Sequence, residues 1–219
     1  MRARTSITAV VSLMLAGLLL QAQQMEQRRL TLKAGLDWKD GTFVLDARYM
    51  EVFSDKIKKR LSSGFTSTLL AEITIFGKRE KEPLATGMVQ CTVIYDLWEE
   101  RYFVRLRSPG SIANLTQESL DEVMDTCGGV KGLRLPARRP VGRDEKLRVR
   151  LRVVVNPASP ELQRKVRAYL ANPGGSSLPG SPRSFFGSFS KVFVDEKELR
   201  ADMIYTYVSQ ETTIGGGKG

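Results

Sequence analysis

The chain has 219 residues and a formal net charge of +10, and its residues are 42% hydrophobic and 26% charged. This size and balance are typical of one globular domain with a sizeable core. There is no histidine, which excludes Ser-His-Asp and Cys-His catalysis and the common histidine-ligated zinc sites. We find no cofactor motif, and two cysteines are too few for a four-thiolate metal site.

The N-terminal segment has the layout of a secretory signal peptide. Arg2 and Arg4 precede an apolar run over 7–20, and small or polar residues follow it. The run is shorter than the roughly 20 apolar residues that a membrane-spanning helix needs. We therefore predict a signal peptide over 1–22, cleavage near Ala22 and export to the periplasm. The alternative is an uncleaved signal that anchors the chain in the inner membrane.

The mature chain opens with a pattern that predicts a β-hairpin. Two alternating runs, 30–38 and 43–49, flank the pair Asp40-Gly41. An Asp-Gly pair between alternating runs is a strong hairpin signal, because tight hairpin turns require positive φ angles.

A short helix, a strand and a second hairpin follow. Ser54 is a candidate helix cap, and the run 66–76 is rich in Thr, Ile and Leu. Residues 84–98 and 102–106 alternate on either side of Glu99-Glu100, which predicts an antiparallel pair. In the first of these runs we expect Leu97 to share the inward face.

A helix is then predicted from Thr116 to Gly128, and a loop over 130–146. The clearest strand signal in the chain is 147–155, where leucine and valine alternate with arginine. A half-buried strand of this kind must have a sheet beside it and a second layer beneath it.

The C-terminal part predicts a helix capped by Ser159, a mobile linker over 172–182 and a last strand over 201–208. We expect a single β-rich domain over 28–210 and a disordered tail over 211–219. The fold class is mainly β (α+β), an antiparallel β-sandwich with two or three short peripheral helices.

Arginines on two strands form the main candidate site. They alternate with apolar residues, so they would merge into one anion-binding surface if their strands share a sheet face. Arginine suits phosphate and carboxylate because its planar group donates two parallel hydrogen bonds. The competing interpretation is a solvated sheet face. The candidate residues are Arg101, Arg105, Arg107, Arg148, Arg150 and Arg152.

Two further features carry hypotheses. Phe185, Phe186 and Phe189 form a candidate interaction segment. Cys91 and Cys127 would form a disulfide in an oxidising compartment, or each would be a small buried hydrophobe. The sequence leaves both alternatives open.

The order of elements resembles one exported bacterial family, domain of unknown function four-three-nine-zero. The similar segments are Leu45-Asp46-Ala47, the strand 147–155, the run 166–170 and the run 185–189, and the likeness extends over 30–210. These are packing and turn residues. The resemblance implies an exported β-rich domain and carries over no catalytic residue.

We expect a non-enzymatic cell-envelope binding or assembly module. A basic exported protein points to an envelope protein or an anionic lipid or polymer as partner, with peripheral membrane contact. Nucleic acid is not expected, because the aromatic platform that stacks single strands is missing. The alternative function is an envelope hydrolase that uses paired carboxylates without histidine.

Overall fold

The structure is a computed structural model that describes residues 27–78, 82–157, 160–171 and 201–214. The predicted signal peptide, the linker over 172–182 and the residues Phe185, Phe186 and Phe189 lie outside these ranges. The described strands are β1 (Gln27–Leu32), β2 (Ala34–Lys39), β3 (Thr42–Arg48), β4 (Ser67–Gly77), β5 (Ala85–Asp96), β6 (Arg101–Ser108), β7 (Ser111–Gln117), β8 (Gly129–Pro136), β9 (Leu147–Val155) and β10 (Met203–Ser209). The described helices are α1 (Asp55–Leu61), α2 (Leu120–Cys127) and α3 (Pro160–Ala171), with a 3-10 turn at Met50–Val52.

The strands form two sheets that pack face to face. The larger sheet has the order β1-β10-β9-β4-β5-β6-β7, and the smaller one has the order β2-β3-β8. All neighbours are antiparallel except β1 and β10, which are parallel. Side chains of both sheets, such as Ile73, Leu151, Leu45 and Leu135, share one buried core. This confirms the predicted fold class, an antiparallel sandwich with a few short helices.

The strand β9 has the predicted alternation and lies inside the larger sheet, between β10 and β4. Leu147, Val149 and Leu151 point into the core and are fully buried. The arginines between them lie on the opposite face, because strand side chains alternate. The burial of this inner face, with that of the neighbouring β4, anchors the larger sheet on the core.

Both predicted hairpins are present. Lys39 pairs with Thr42, and Asp40 and Gly41 form the turn with φ angles of 49° and 76°. These are the positive angles that a two-residue type I′ turn requires. In the second hairpin, β5 and β6 pair antiparallel from Gln90 to Asp96.

Residues Gln27–Leu32 do not belong to the first hairpin, which corrects our prediction for Leu30 and Leu32. Strand β1 pairs in parallel with β10, where Leu30 lies opposite Tyr207. The alternation of Leu30 and Leu32 fits either sheet equally well. Only a contact between the two ends of the domain decides between the sheets, and periodicity does not carry that information.

The predicted start of the second helix is also wrong. Thr116 lies in β7 opposite Phe103, and α2 begins after Ser119. The Ser119 hydroxyl accepts a hydrogen bond from the Glu122 amide at 3.2 Å. Serine and threonine are both good caps, and the pairing with β6 keeps Thr116 extended. Ser54 does precede α1 as predicted, but its side chain makes no capping hydrogen bond.

The segment 130–146 is not a loop throughout, because β8 occupies its first part. Val130, Leu133 and Leu135 are buried, but a register shift of β3 against β8 interrupts their alternation. A bulge of this kind inserts an extra residue and breaks the period of two. The alternation of apolar residues in the sequence therefore does not predict β8.

The start of the predicted disordered tail is bound to the domain. Thr212 forms two backbone hydrogen bonds with Leu147, at 2.7 and 2.9 Å. The Glu211 carboxylate lies 3.3 Å from both the Lys78 ammonium and the Arg148 guanidinium. Residues 211 and 212 therefore extend the ordered edge of the domain, although their polar composition suggested otherwise.

A disulfide joins Cys91 on β5 to Cys127 at the end of α2, with 5.7 Å between the Cα atoms. Both residues are buried. This decides between the two alternatives that the sequence left open. The bond fixes the helix against the inner face of the larger sheet.

We expect the double substitution Cys91→Ala with Cys127→Ala to lower the free energy of unfolding by about 4 kcal/mol, because an unfolded chain without the bond gains loop entropy. Urea unfolding followed by circular dichroism measures this change. The wild-type protein, unfolded in the presence of a reductant that opens the disulfide, should have the same free energy of unfolding as the variant. Equal stability of the oxidised wild type and the variant would contradict the prediction.

Candidate functional site

The predicted arginines of β6 and β9 share the outer face of the larger sheet, the face turned away from the smaller sheet. Their cross-strand neighbours establish this: Arg152 lies opposite Glu72 on β4, and Arg107 lies opposite Gln90 on β5. Two strands, β4 and β5, separate the two sets. At about 4.8 Å per strand, β6 and β9 are roughly 14 Å apart.

Helix α3 lies between the two sets on this face. Its Val166 and Tyr169 pack on Leu70, Met88 and Val154 of the sheet, in a buried cluster separate from the main core. In register, Arg107 and Arg152 are level with this cluster on opposite sides of it. Arg101 and Arg105 lie beyond it toward one end of the sheet, and Arg148 and Arg150 lie toward the other. The structure therefore divides the predicted surface into two cationic regions.

The arginines of β9 contact neighbouring groups of the domain. Arg148 forms an ion pair with Glu211 at 3.3 Å. The Arg150 guanidinium lies 4.8 Å from the centre of the Phe76 ring, which is a cation–π distance. Arg152 is half-buried and lies opposite Glu72. These contacts engage Arg148 and Arg150 within the fold, and the Nε and Nη2 atoms of Arg152 are buried beside Glu72.

Glu72 is the buried carboxyl group of this face, with 9% of its surface exposed. Burial raises its pKa to about 7, and the charges of Arg152 and Arg150 lower it by a smaller amount. Its neighbours in register are Arg152 and Met88, not a second carboxylate. Nothing at this position favours a hydrolase with paired carboxylates.

The β6 end of the face carries a shallow groove of about 500 Å³, which we call the arginine groove. It lies over β5, β6 and β7, and its outward side chains include Gln90, Thr92, Ile94, Phe103, Arg105 and Arg107. Arg105 is exposed, and its Nε donates to Asn114 Oδ1 at 2.9 Å. Arg101 lies beyond the groove, opposite Asp96. Two of the six predicted arginines thus line one concave surface.

The groove contains polar atoms that the described residues leave unbonded. The Nε of Arg107 and the Oε1 of Gln90 are both buried, and neither has a hydrogen-bond partner among those residues. Ile94 and Phe103 are each 42% exposed beside them. Burying an unbonded polar atom is costly. A charged oxygen group of a ligand would accept hydrogen bonds from the Arg107 guanidinium, and an apolar part would contact Ile94 and Phe103. The Gln90 oxygen only accepts, so it would need a donor such as a hydroxyl or ammonium group on the ligand.

A cluster of exposed apolar residues at the same end of the sheet was not predicted. Trp98 is 95% exposed and Leu97 is 62% exposed, both in the turn after β5, and Phe65 nearby is 70% exposed. The Asp96 side chain accepts the amide hydrogens of Trp98 and Glu99, which fixes the turn and lowers the pKa of Asp96. The expectation that Leu97 faces inward is wrong, because β5 ends at Asp96.

Comparison with known proteins identifies a family for this chain. Residues 23–162 match the family described as domain of unknown function (DUF4390). The chain belongs to this family, as its order of elements suggested. No curated protein and no solved structure matches the chain significantly. Among the described residues, no helix is long and apolar enough to cross a membrane.

The raised pKa of Glu72 predicts a specific pH dependence of stability. In the unfolded chain this carboxyl titrates near 4.5 and in the folded chain near 7. The contribution of protonated Glu72 to the free energy of unfolding is therefore complete below pH 4.5 and is lost as the pH rises through 7. We expect the free energy of unfolding of Glu72→Gln to be higher than that of the wild type by roughly 3 kcal/mol above pH 7, and equal to it near pH 4.

Urea unfolding between pH 4 and pH 8 measures the difference. Glu211→Gln is the matched control, because ion pairing lowers the pKa of that carboxyl. A gap between Glu72→Gln and wild type that does not change with pH would contradict the prediction.

Proposed function

We propose that this chain is exported and serves as a non-enzymatic binding or assembly module of the cell envelope. It binds an anionic component, which is a lipid, a polymer or an acidic protein, through the arginine groove. The observation that carries the proposal is the buried, unbonded Nε donor of Arg107 in a concave surface lined by a second arginine.

The chemistry of the groove supports an anionic ligand. The guanidinium groups of Arg105 and Arg107 donate hydrogen bonds to phosphate or carboxylate oxygens, and such charge-assisted bonds are stronger than neutral ones. Ile94 and Phe103 supply an apolar surface next to these donors. Trp98 extends that surface at the end of the sheet, and tryptophan favours the interface between lipid and water. An anionic membrane surface satisfies both features.

The compartment is supported by two independent features. The disulfide between Cys91 and Cys127 is typical of proteins that fold in an oxidising environment. The N-terminal segment has the charge and hydrophobicity of a signal peptide, with Arg2 and Arg4 before an apolar run. Cleavage near Ala22 would remove only those two cations, so the mature chain stays strongly basic.

The first prediction concerns binding. We expect a double substitution, Arg105→Glu with Arg107→Glu, to weaken binding to vesicles of phosphatidylcholine and phosphatidylglycerol by at least about tenfold, because each cation near an anionic surface contributes roughly 1 kcal/mol. Cosedimentation at low salt measures the affinity. The matched control is Arg148→Glu with Arg150→Glu, which changes the net charge equally at the opposite end of the same face.

Fluorescence gives a second readout of the same interaction. The chain has two tryptophans, so a Trp38→Phe background leaves Trp98 as the reporter. Its emission should shift to shorter wavelength when vesicles bind. Equal losses in both charge variants would assign binding to net charge alone. If the wild-type chain does not bind anionic vesicles, the ligand is not a lipid.

The second prediction concerns export. We expect the chain, expressed in a bacterium, to be recovered from the periplasm with a mature N-terminus near Gln23, as mass spectrometry would determine. Leu18→Arg with Leu19→Arg should block export, because charges interrupt the apolar run. A full-length chain in the membrane fraction would support the uncleaved anchor instead.

A further inference from the structure

The two sheets of the sandwich are unequal in width, and this leaves part of the larger sheet uncovered. The strand β8 is the last described strand on its side of the smaller sheet and packs beneath β5. Beyond it, β6 and β7 extend outward on the larger sheet. Helix α2 packs on β6, β7 and β8. The space next to β8 that α2 does not fill has the position of a fourth strand.

A groove of about 610 Å³ occupies this position. We call it the edge groove. Its apolar walls come from Val89 and Leu106 of the larger sheet and from Val130 and Leu133 of β8. Six consecutive residues of β8, 129–134, line it. Successive side chains of a strand point to opposite faces. A cavity that touches residues of both faces in a row therefore reaches the edge of the strand, and at the start of β8 it also extends over Ala47 and Arg48 of β3.

The edge of β8 offers backbone hydrogen-bonding groups to this groove. In the described part of the chain, β3 is the only strand that pairs with β8. The bulge places Lys131 and Gly132 opposite Asp46, and the Gly132 amide donates to Asp46 Oδ1 at 2.6 Å. Gly132 has a φ angle of 60°, which glycine adopts without strain. The edge is therefore rigidly held on its β3 side and open on the other.

The rim of the edge groove is cationic. Arg48, Lys131 and Arg134 are exposed there. Asp125 is the acidic residue of the lining, and its carboxylate forms an ion pair with Arg48 at 2.6 Å. Lys131 and Arg134 are therefore available to bind a partner of negative charge. A bare acyl chain would leave the backbone groups of β8 without a partner, whereas a peptide strand would satisfy them.

We infer that the free edge of β8 accepts an extended acidic segment of a partner protein, which adds as a fourth strand to the smaller sheet beneath β6. Backbone hydrogen bonds supply the affinity in this mode of recognition, and alternate side chains supply the specificity. Apolar residues of the segment enter the groove against Leu106 and Leu133. Acidic residues meet Lys131 and Arg134 at the rim. This site is separate from the arginine groove, which lies on the other face of β6.

The probe for this site is a short blocked peptide in which valine alternates with glutamate. Fluorescence anisotropy with the full chain measures its affinity. We expect N-methylation of the alternate amides that face β8 to weaken binding at least about fivefold for each lost hydrogen bond. The same peptide with lysine in place of glutamate should bind more weakly still. Both modifications are made in the peptide and not in the protein, so a difference in affinity cannot result from misfolding of the protein.

The protein variant is Lys131→Glu with Arg134→Glu, which should weaken peptide binding about tenfold. Lys33→Glu with Lys39→Glu is the matched control near the opposite edge of the smaller sheet, where both lysines are exposed, and it should leave binding unchanged. Hydrogen exchange measured by NMR should show new protection, when the peptide binds, of those amides in 129–135 that do not pair with β3.

Three outcomes would overturn the inference. The first is binding that N-methylation does not weaken. The second is protection, in the free, monomeric chain, of the β8 amides that do not pair with β3, which would mean that a segment of the same chain already covers the edge. The third is protection that rises with protein concentration alongside dimer formation in sedimentation equilibrium, which would make the occupant a second copy.

Discussion

Packing a seven-stranded sheet against a three-stranded one is the constraint on which the rest of this structure depends. The apolar inner side chains of β9 and β4 lie over the smaller sheet and form the centre of the core. Among the described strands, the smaller sheet ends toward β6 and β7, so another element must cover those strands. Helix α2 provides part of that cover, and the bond between Cys91 and Cys127 holds its end against β5. What α2 does not cover becomes the edge groove.

The outer face of the larger sheet differs from the inner face, because only part of it is covered and the rest is exposed to solvent. Helix α3 buries an apolar cluster around Leu70 and Val154, and this divides the arginines into two regions. The β9 region is engaged with Glu72, Phe76 and Glu211. In the β6 region, Arg107 has a buried, unbonded Nε in a concave surface. Arginines on one face thus have different surroundings, which depend on what lies across from them.

The strand β6 connects the two proposed surfaces. Arg105 and Arg107 point outward into the arginine groove, and Leu106 lies between them on the inner side against the edge groove. Both surfaces carry an excess of positive charge, in keeping with the basic composition of the whole chain. A module that assembles components in an envelope would benefit from two adjacent sites of the same charge, because an anionic surface and an acidic protein could then bind on opposite faces of one sheet.

Local patterns in the sequence were sufficient for the elements whose neighbours are close in the chain. The Asp40-Gly41 turn, the β5–β6 hairpin and the alternation of β9 all follow from residue type and period. The sequence also determined that the arginines within each strand lie on one side of that strand, and that histidine chemistry is absent. It did not reveal β8, whose bulge breaks the period, or the partner of β1, which lies at the other end of the domain.

Only the tertiary structure decided which of these residues meet. The disulfide, the position of α3 between the arginines and the free edge of β8 all depend on contacts between segments that are distant in sequence. The physical reason is that periodicity specifies which face of an element is apolar, but not which other element will cover it. That choice is made by packing across the whole domain, and both candidate sites lie where the packing is incomplete.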